Sequence, residues 1–268
     1  MSKTNSIELP GCEPILILYE DRSVLAVDKP RGWMLVPVSW QQTARNLQAA
    51  INSSIAARDF WARSRGLKFL RYVHRLDADT SGILLFAKSP GAVKSYSDLF
   101  ESRQMEKTYL AVVVGEPKEK GWTCRLKLAP DSRQIGRMKV NPRHGKVAET
   151  HFRVKERHDE LSLIEARPIT GRTHQIRVHL AESGCPIVGD ELYGKPLTRD
   201  IVRAVLPHRP DERQLGAPKL LGTVSADRVT ALPLGLRAVR LAYVDPFTKR
   251  RVEIHAPTED FLKEFGFS

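Results

Sequence analysis

One acidic residue stands where a carboxylate could do chemistry on a phosphate-bearing substrate. Asp77 belongs to the segment HRLDADTSG, residues 74–82, which directly precedes the apolar run ILLFA at residues 83–87. The Thr-Ser-Gly sequence predicts a turn into a buried strand, so the carboxylate would lie at the mouth of a sheet. The same pattern also fits a turn residue or one half of an ion pair.

Arginine and histidine are concentrated in a second segment, TGRTHQIRVHL, at residues 170–180. It follows a predicted strand and begins a predicted helix, so its cationic side chains would lie close together. A buried arginine must be paired with an acid. Asp77 is a natural partner, and the pairing would keep its carboxylate ionised. The segment also fits the polar face of a solvated helix.

The overall charge limits the partners that these residues can have. The 268 residues include 43 Lys and Arg against 31 Asp and Glu, which gives a formal net charge of +12, and 41% are hydrophobic. This hydrophobic content indicates a folded protein rather than a disordered basic tail. A folded, strongly basic protein is expected to bind a polyanion, which could be RNA, DNA or an anionic membrane surface.

The apolar runs and the cysteines favour a cytoplasmic protein. The longest apolar runs, residues 15–18 and 110–114, are far shorter than the roughly 20 residues that span a membrane. The N-terminal residues contain no apolar core of the kind found in signal peptides. The cysteines, Cys12, Cys124 and Cys185, form no CxxC pair, which fits a reducing cytosol.

Positive charge is concentrated in two stretches, residues 60–76 and 131–146. The first interleaves its cations with aromatic residues, and the second is rich in turn-forming residues. Cations bind phosphates and aromatic faces stack on bases, so this composition favours RNA. Such runs also occur as solvated surface with no partner. The cations are Arg63, Arg65, Lys68, Arg71 and Arg75 in the first stretch and Arg133, Arg137, Lys139, Arg143 and Lys146 in the second.

The elements that must position these residues are mainly strands. Apolar and alternating runs predict strands at residues 15–19, 23–27, 83–87, 109–114, 147–154, 161–169 and 238–244. Spacing and capping signals predict helices around Leu47, Ile51 and Ile55, after Ser89-Pro90, over residues 172–183, and after Thr258. Because these helices do not alternate regularly with the strands, we predict an α+β fold with a mixed, largely antiparallel sheet.

Several of these segments, taken in order, resemble the RluA-type pseudouridine synthases. HRLDADTSGILLFAK resembles the catalytic signature of that family, and ILYEDRSVLAVDKPRGWML resembles its opening strand pair. EKTYLAVVVGEP and ITGRTHQIRVHLAESGCPIVGDELYG resemble its Lys-x-Tyr strand and its arginine-containing motif. The resemblance covers residues 15–194 and resumes over residues 235–257. Several long motifs in the same order are far more specific than one short pattern.

The resemblance implies an isomerase that converts uridine in RNA to pseudouridine without a metal or other cofactor. It implies that Asp77 is the catalytic carboxylate, acting either as a nucleophile or in removing the C2′ proton. Tyr109 would lie against the target base, and Arg177 would pair with Asp77. The implied substrate-binding residues are Arg75, Leu241, Arg172 and His174, of which Arg75 would fill the space left by the flipped base and Leu241 would line the uracil pocket.

The resemblance also implies one catalytic domain over residues 15–268. Residues 1–14 are then expected to be an N-terminal extension without the S4-type RNA-binding module that many relatives carry. Residues 195–235 are Pro-rich and basic, and we expect them to form a surface insertion that contacts RNA. The protein is expected to be a monomer that binds rRNA or tRNA and no membrane.

Two other functional classes remain open on the residues alone. A non-catalytic RNA-binding protein could share the fold, although such a protein has no need of an acid facing phosphates. A glycoside hydrolase or nucleosidase could use Asp77 with Asp79, but such enzymes need two carboxyl groups about 5–10 Å apart on one site. Release of free uracil would distinguish this last class from an isomerase.

Overall fold

The computed structural model describes residues 3–35, 45–194 and 232–267. The chain divides into two compact units: unit 1 comprises Met1–Lys107 and Ala238–Ala256, and unit 2 comprises Thr108–Arg237 and Pro257–Ser268. The strands are β1 Ser6–Ile7, β2 Ile15–Glu20, β3 Val24–Lys29, β4 Arg71–Tyr72, β5 Ser81–Ala87, β6 Glu106–Val114, β7 Gly121–Pro130, β8 Met138–Val140, β9 Lys146–His158, β10 Leu161–Pro168, β11 Leu236–Val244 and β12 Arg251–His255. The helices are α1 Leu47–Ala56, α2 Phe60–Arg63, α3 Pro90–Glu101, α4 Gln175–Glu182 and α5 Glu259–Glu264.

Unit 1 is a sheet in the order β1-β2-β3-β5-β11, with β12 paired to β11 and β4 paired to β5. All seven residues of β5 are buried, because the strand is covered on both faces. Helix α3 packs against it. The predicted start of α3 is confirmed: the Ser89 hydroxyl accepts the N–H of Ala92, and Pro90 occupies the first turn.

Unit 2 is a sheet in the order β6-β10-β9-β7-β8, with α4 packed against it. In both units, every strand pair whose register the structure describes is antiparallel. Helix α5 contributes Phe261 and Phe265 to a core cluster of unit 2 that also contains Leu161, Leu163 and Val188. The predicted α+β class with a largely antiparallel sheet is therefore confirmed.

The sequence did not predict several short or exposed elements. Strand β7 alternates exposed and half-buried residues and contains no apolar run, so its pairing with β9 was not foreseen. The expected extension, residues 1–14, contributes β1, which pairs with β2 and buries Ile7. Among the described residues, no helix is long and apolar enough to cross a membrane.

The expected insertion at residues 195–235 lies largely outside the described residues, which resume at Leu232. Three of its last four residues are buried rather than exposed. Leu232 and Leu234 are buried, and the N–H and carbonyl of Gly235 bond to Val188 and Val112. A surface insertion can therefore extend no further than residue 231.

Candidate active site

Asp77 lies half-buried on the loop of residues 76–80, here called the Asp77 loop, directly before β5. The backbone next to it is held at two points. The Ala78 carbonyl accepts the backbone N–H of Gly32 at 2.9 Å and the Nζ of Lys29 at 2.7 Å, and the Asp77 carbonyl accepts the N–H of Thr80 at 3.2 Å. These bonds fix the position from which the Asp77 carboxylate projects.

Lys29 is the side chain that anchors this loop, and it was not identified from the sequence. It is fully buried at the end of β3, and its Nζ also donates to the Pro30 carbonyl at 2.9 Å. Burial lowers the pKa of Lys29 to about 7, against the opposing effect of the nearby Asp79 and Asp77 carboxylates. The available signal was a lysine that ends an apolar strand, where a buried ammonium must find acceptors.

Gly82 fixes the exit of the Asp77 loop into β5. Its φ is +106°, and a Cβ at this position would lie 2.1 Å from the carbonyl oxygen of Ala238. Only glycine allows the two backbones to approach this closely. The Thr-Ser-Gly sequence was predicted to form a turn, and the structure adds this steric reason for the glycine.

His74 holds the other side of the loop. The N–H of Leu85 donates to His74 Nε2 at 3.1 Å, and the imidazole stacks on Phe100 with ring centroids 4.4 Å apart. Burial, and secondarily the charge of Lys107, lowers the pKa of His74 to about 3. His74 is therefore neutral near pH 7 and serves as a hydrogen-bond acceptor. The next residue, Arg75, is exposed.

In unit 2, Arg177 is buried and forms an ion pair with Asp190. Its Nε donates to Asp190 Oδ2 and its Nη2 to Asp190 Oδ1, both at 2.7 Å. The Asp190 side chain is fully buried, and Oδ1 also accepts the backbone N–H groups of Leu192 and Tyr193 at 3.0 Å. The sequence analysis did not identify Asp190. The predicted pair between Arg177 and Asp77 remains a prediction.

Tyr193 completes what we call the Asp190 cluster, formed by Arg177, Asp190 and Tyr193. Its ring centroid is 5.3 Å from the Arg177 guanidinium carbon and 5.4 Å from that of Arg137. Its hydroxyl accepts the N–H of Met138 at 2.7 Å and hydrogen-bonds His174 Nδ1 at 2.9 Å. Tyr193 therefore joins the arginine of α4 to the β7–β8 hairpin.

The segment before α4 is ordered by side-chain bonds and begins the helix later than predicted. Gln175 Oε1 accepts the N–H of Arg172 at 3.0 Å and the hydroxyl of Thr170 at 2.6 Å. His174 has a left-handed backbone, with φ of 53°. The helix therefore starts at Gln175 rather than at residue 172, because these local bonds compete with helical ones. Arg172 Nε donates to the Val147 carbonyl at 3.1 Å.

Two other predicted residues lie on strands. Tyr109 is half-buried on β6, opposite Ala166 of β10, and packs against a core cluster of unit 2. Leu241 is buried on β11 in the core cluster of unit 1, which also contains Ile83 and Tyr243. The functional roles implied for these residues remain predictions.

Comparisons with known proteins match the part of the chain that contains these motifs. A family model described as RNA pseudouridylate synthase matches residues 23–182. The chain is 33% identical to ribosomal large subunit pseudouridine synthase C of Vibrio parahaemolyticus, over 93% of this chain and 67% of that protein. It is 34% identical to the protein of the same name from Escherichia coli strain K12, over 92% of this chain and 68% of that protein. The chain belongs to the RNA pseudouridylate synthase family.

Solved structures show the same fold. Human RNA pseudouridylate synthase domain containing 1 superposes with a TM-score of 0.64 and 26% identity, covering 92% of this chain and 85% of that chain. Human RNA pseudouridylate synthase domain containing 4 has a TM-score of 0.67 at 23% identity, covering 93% and 91%, and supports the fold alone. The predicted fold and reaction class are thus confirmed, and this pseudouridine synthase is an isomerase that acts on RNA.

The two basic stretches of this synthase contribute differently to its surface. In residues 60–76, the side chain of Arg65 is only 2% exposed and pairs with Glu20, and Trp61 is buried with its Nε1–H bonded to Ser54. Both residues are structural, which corrects the prediction that Arg65 belongs to an RNA-binding surface. In residues 131–146, Lys139 pairs with Asp131, while residues 132–136 between them are exposed.

Proposed function

We propose that this enzyme isomerises a specific uridine of large-subunit ribosomal RNA, with Asp77 as the catalytic carboxylate. The observation that carries the proposal is the Asp77 loop, whose backbone is anchored by Lys29 and Gly32 and whose exit requires Gly82. Catalytic groups must be held within a fraction of an ångström of their working position. The bacterial relatives are ribosomal large subunit pseudouridine synthases, which supports ribosomal RNA over tRNA as the substrate.

The reaction requires a carboxylate but no net gain or loss of atoms. The N1–C1′ bond breaks, the uracil turns, and C5 joins C1′; C5 then loses its proton and N1 gains one. Asp77 acts either by bonding to C1′ or by removing the C2′ proton, and both routes leave the carboxylate unchanged at the end. No electron acceptor or hydrolytic water is consumed, so the proposed mechanism uses no cofactor or metal.

The other predicted residues take supporting roles in this proposal. Tyr109 contacts the target base, and Arg177 interacts with the Asp77 carboxylate while Asp190 holds its guanidinium. Arg75, which is exposed beside the Asp77 loop, replaces the uridine in its stack. Leu241 contributes to the uracil pocket, and Arg172 and His174 contact the RNA. Extracting the uridine costs a few kcal/mol, which contacts from such groups must offset.

The basic surface supplies the general attraction to RNA. With a formal charge of +12, the chain attracts phosphates over a range set by the salt concentration. We place the enzyme in the cytoplasm as a monomer. We retain the expected RNA contact for residues 195–231 and leave out residues 232–235.

Purified enzyme incubated with transcribed large-subunit rRNA in excess EDTA tests this proposal. The RNA is digested to nucleosides, and pseudouridine and free uracil are quantified by chromatography. We expect pseudouridine in the rRNA, none in a tRNA pool, and no free uracil. Free uracil would indicate a glycosidase, binding without pseudouridine would indicate a non-catalytic protein, and activity lost in EDTA but restored by metal would contradict the cofactor-free mechanism.

A further inference from the structure

A basic cavity of about 550 Å³ lies in unit 1, away from the Asp77 loop. We call it the Glu20 pocket. Its lining carries five cations, Lys3, Arg22, Arg65, Lys68 and Lys88, against two acids, Glu20 and Asp21. The lining therefore has a formal excess of three positive charges. A cavity of this volume is in the range that holds a small ligand or one residue of a larger one.

Glu20 is the centre of the ion pairs that form the inner wall of the Glu20 pocket, where it also accepts Lys3 Nζ at 3.4 Å. Glu20 accepts Arg65 Nε at 2.9 Å and Lys88 Nζ at 2.8 Å. Burial raises the pKa of Glu20, but Lys88 and Arg65 outweigh this effect and hold the pKa below its usual value. These three side chains form a rigid, preformed wall.

Two cations on the rim of the pocket are available to a ligand. Arg22 and Lys68 are exposed, and neither forms an ion pair with any residue in the described part of the chain. Asp21, the neighbouring acid, is engaged elsewhere, because its carboxylate accepts the N–H groups of Ser23 and Val24 and the hydroxyl of Tyr19. Half-buried Phe69 also lines the cavity and offers an aromatic face for a ribose or a base.

The β3–β5 register places the pocket at the opposite end of these strands from the Asp77 loop. Val24 pairs with Ala87 at the pocket end, and Lys29 pairs with Gly82 at the loop end. Seven residues of β5 at about 3.3 Å each separate the two ends by roughly 20 Å. An RNA nucleotide in the pocket is therefore distinct from the uridine that reacts.

We propose that the Glu20 pocket is a second RNA-binding site that takes a phosphate and its ribose from the substrate, at a distance from the target uridine. Arg22 and Lys68 bind the phosphate oxygens, and the Glu20–Arg65–Lys88 wall holds the cavity open. The inference rests on the proposed RNA substrate and adds a contact that helps to select it. Free inorganic phosphate has the same chemistry, and the experiment must distinguish the two sources.

The test compares R22Q/K68Q with the matched control K94Q/R250Q. Each variant loses one Lys and one Arg charge, and Lys94 and Arg250 are exposed residues of unit 1 outside the pocket. The dissociation constant for transcribed large-subunit rRNA is measured over a series of KCl concentrations. We expect R22Q/K68Q to bind about tenfold more weakly and to lower the slope of log K against log [KCl] by roughly 1–2, while the control matches wild type.

Three outcomes would overturn the assignment. Equal slopes for the two variants would show that only total charge matters, and a wild-type slope for R22Q/K68Q would show that the pocket does not contact RNA. Inorganic phosphate that binds wild type but not R22Q/K68Q, with RNA affinity unchanged, would make the pocket a small-anion site. If wild type forms no pseudouridine in this RNA, the proposed target fails, but the same salt series on a random-sequence RNA still tests the pocket.

Discussion

Asp77 of unit 1 and Asp190 of unit 2 are two acids that the chain holds in opposite ways.

 The Asp190 side chain is fully buried, and it accepts two hydrogen bonds from Arg177 and two from backbone N–H groups. Asp77 is half-buried, and the bonds that fix its position include those made by its neighbour's carbonyl to Lys29 and Gly32. One carboxylate is itself the anchor, and the other is carried by an anchored backbone.

The difference fits the proposed roles, a structural one for Asp190 and a catalytic one for Asp77. Asp190 accepts four donors, three at Oδ1 and one at Oδ2. Asp190 would have to break these bonds before it could attack a sugar or take a proton. The backbone of the Asp77 loop is held by Lys29 and Gly32, which is the arrangement expected of a preorganised catalytic group. Each prediction below changes one side of this comparison.

The largest expected effect is on activity, at Asp77. Replacing its carboxylate with an amide in D77N should lower pseudouridine formation by at least a thousandfold, since loss of an essential catalytic group typically costs orders of magnitude. RNA affinity should persist because it depends on Lys and Arg. Turnover is measured with excess rRNA, and D79N serves as the control because Asp79 is an exposed acid on the same loop. Residual D77N activity above about 1% would contradict the assignment.

The next largest effect is on stability, at the Asp190 cluster. D190N and R177A each break a buried ion pair and leave one partner uncompensated, which should lower the free energy of unfolding by about 3–5 kcal/mol. Both variants should also lose activity, since Arg177 would no longer be held. Urea unfolding provides the measurement. Wild-type stability and activity in both variants would mean that this pair has neither role.

These two acids also show what sequence can and cannot predict. Asp77 was identified because a turn sequence and an apolar strand surround it locally. A pair between Arg177 and an acid was also predicted from its segment, but the acid Asp190 lies 13 residues further on, in a turn whose geometry depends on tertiary packing. Lys29 was missed for the same reason, because the carbonyl of Ala78 is 49 residues away.

The same distinction between local and long-range signals applies to the secondary structure. The apolar run of β5 predicts a buried strand, and the Ser-Pro pair predicts the start of helix α3. Strand β7 and the core position of Leu234 could not be predicted in this way. Strand β7 is largely exposed, and Leu234 lies in a Pro-rich stretch without periodicity. Partial burial and long-range packing, rather than local propensity, determine these elements.

The third prediction concerns the anchor of the Asp77 loop. K29M removes the ammonium that bonds to the carbonyls of Pro30 and Ala78, so the loop should loosen and activity should fall roughly 10- to 100-fold. The Asp190 cluster belongs to unit 2 and should be unaffected. Wild-type turnover in K29M would show that the loop is held without Lys29.

Lys29 also gives a pH dependence of stability. Its pKa falls from 10.5 to about 7 on folding, so the unfolded chain binds more protons between these values. Stability from this group is therefore greatest above pH 10.5, falls as the pH drops toward 7, and stays level below that. The unfolding free energy of wild type minus that of K29M should therefore increase from pH 7 to pH 10. A difference that stays constant over this range would refute the buried, shifted lysine.

The smallest expected effect is at the edge of the Asp190 cluster. Y193F keeps the ring beside Arg177 and Arg137 but removes the hydroxyl that bonds to Met138 and His174, at a cost of about 1 kcal/mol. The matched control is Y72F, whose hydroxyl bonds to no residue in the described ranges, and which should change stability by less than about 0.5 kcal/mol. Equal losses in the two variants would exclude a specific role for the Tyr193 hydroxyl.

The most direct test of the central claim is a map of pseudouridines at single-nucleotide resolution in large-subunit rRNA. The map is compared between cells that carry the gene, cells that lack it, and cells that lack it but express either wild type or D77N. We predict that a specific pseudouridine disappears with the gene and returns with wild type but not with D77N. An rRNA map that does not change with the gene, or a modification that D77N restores, would contradict the account.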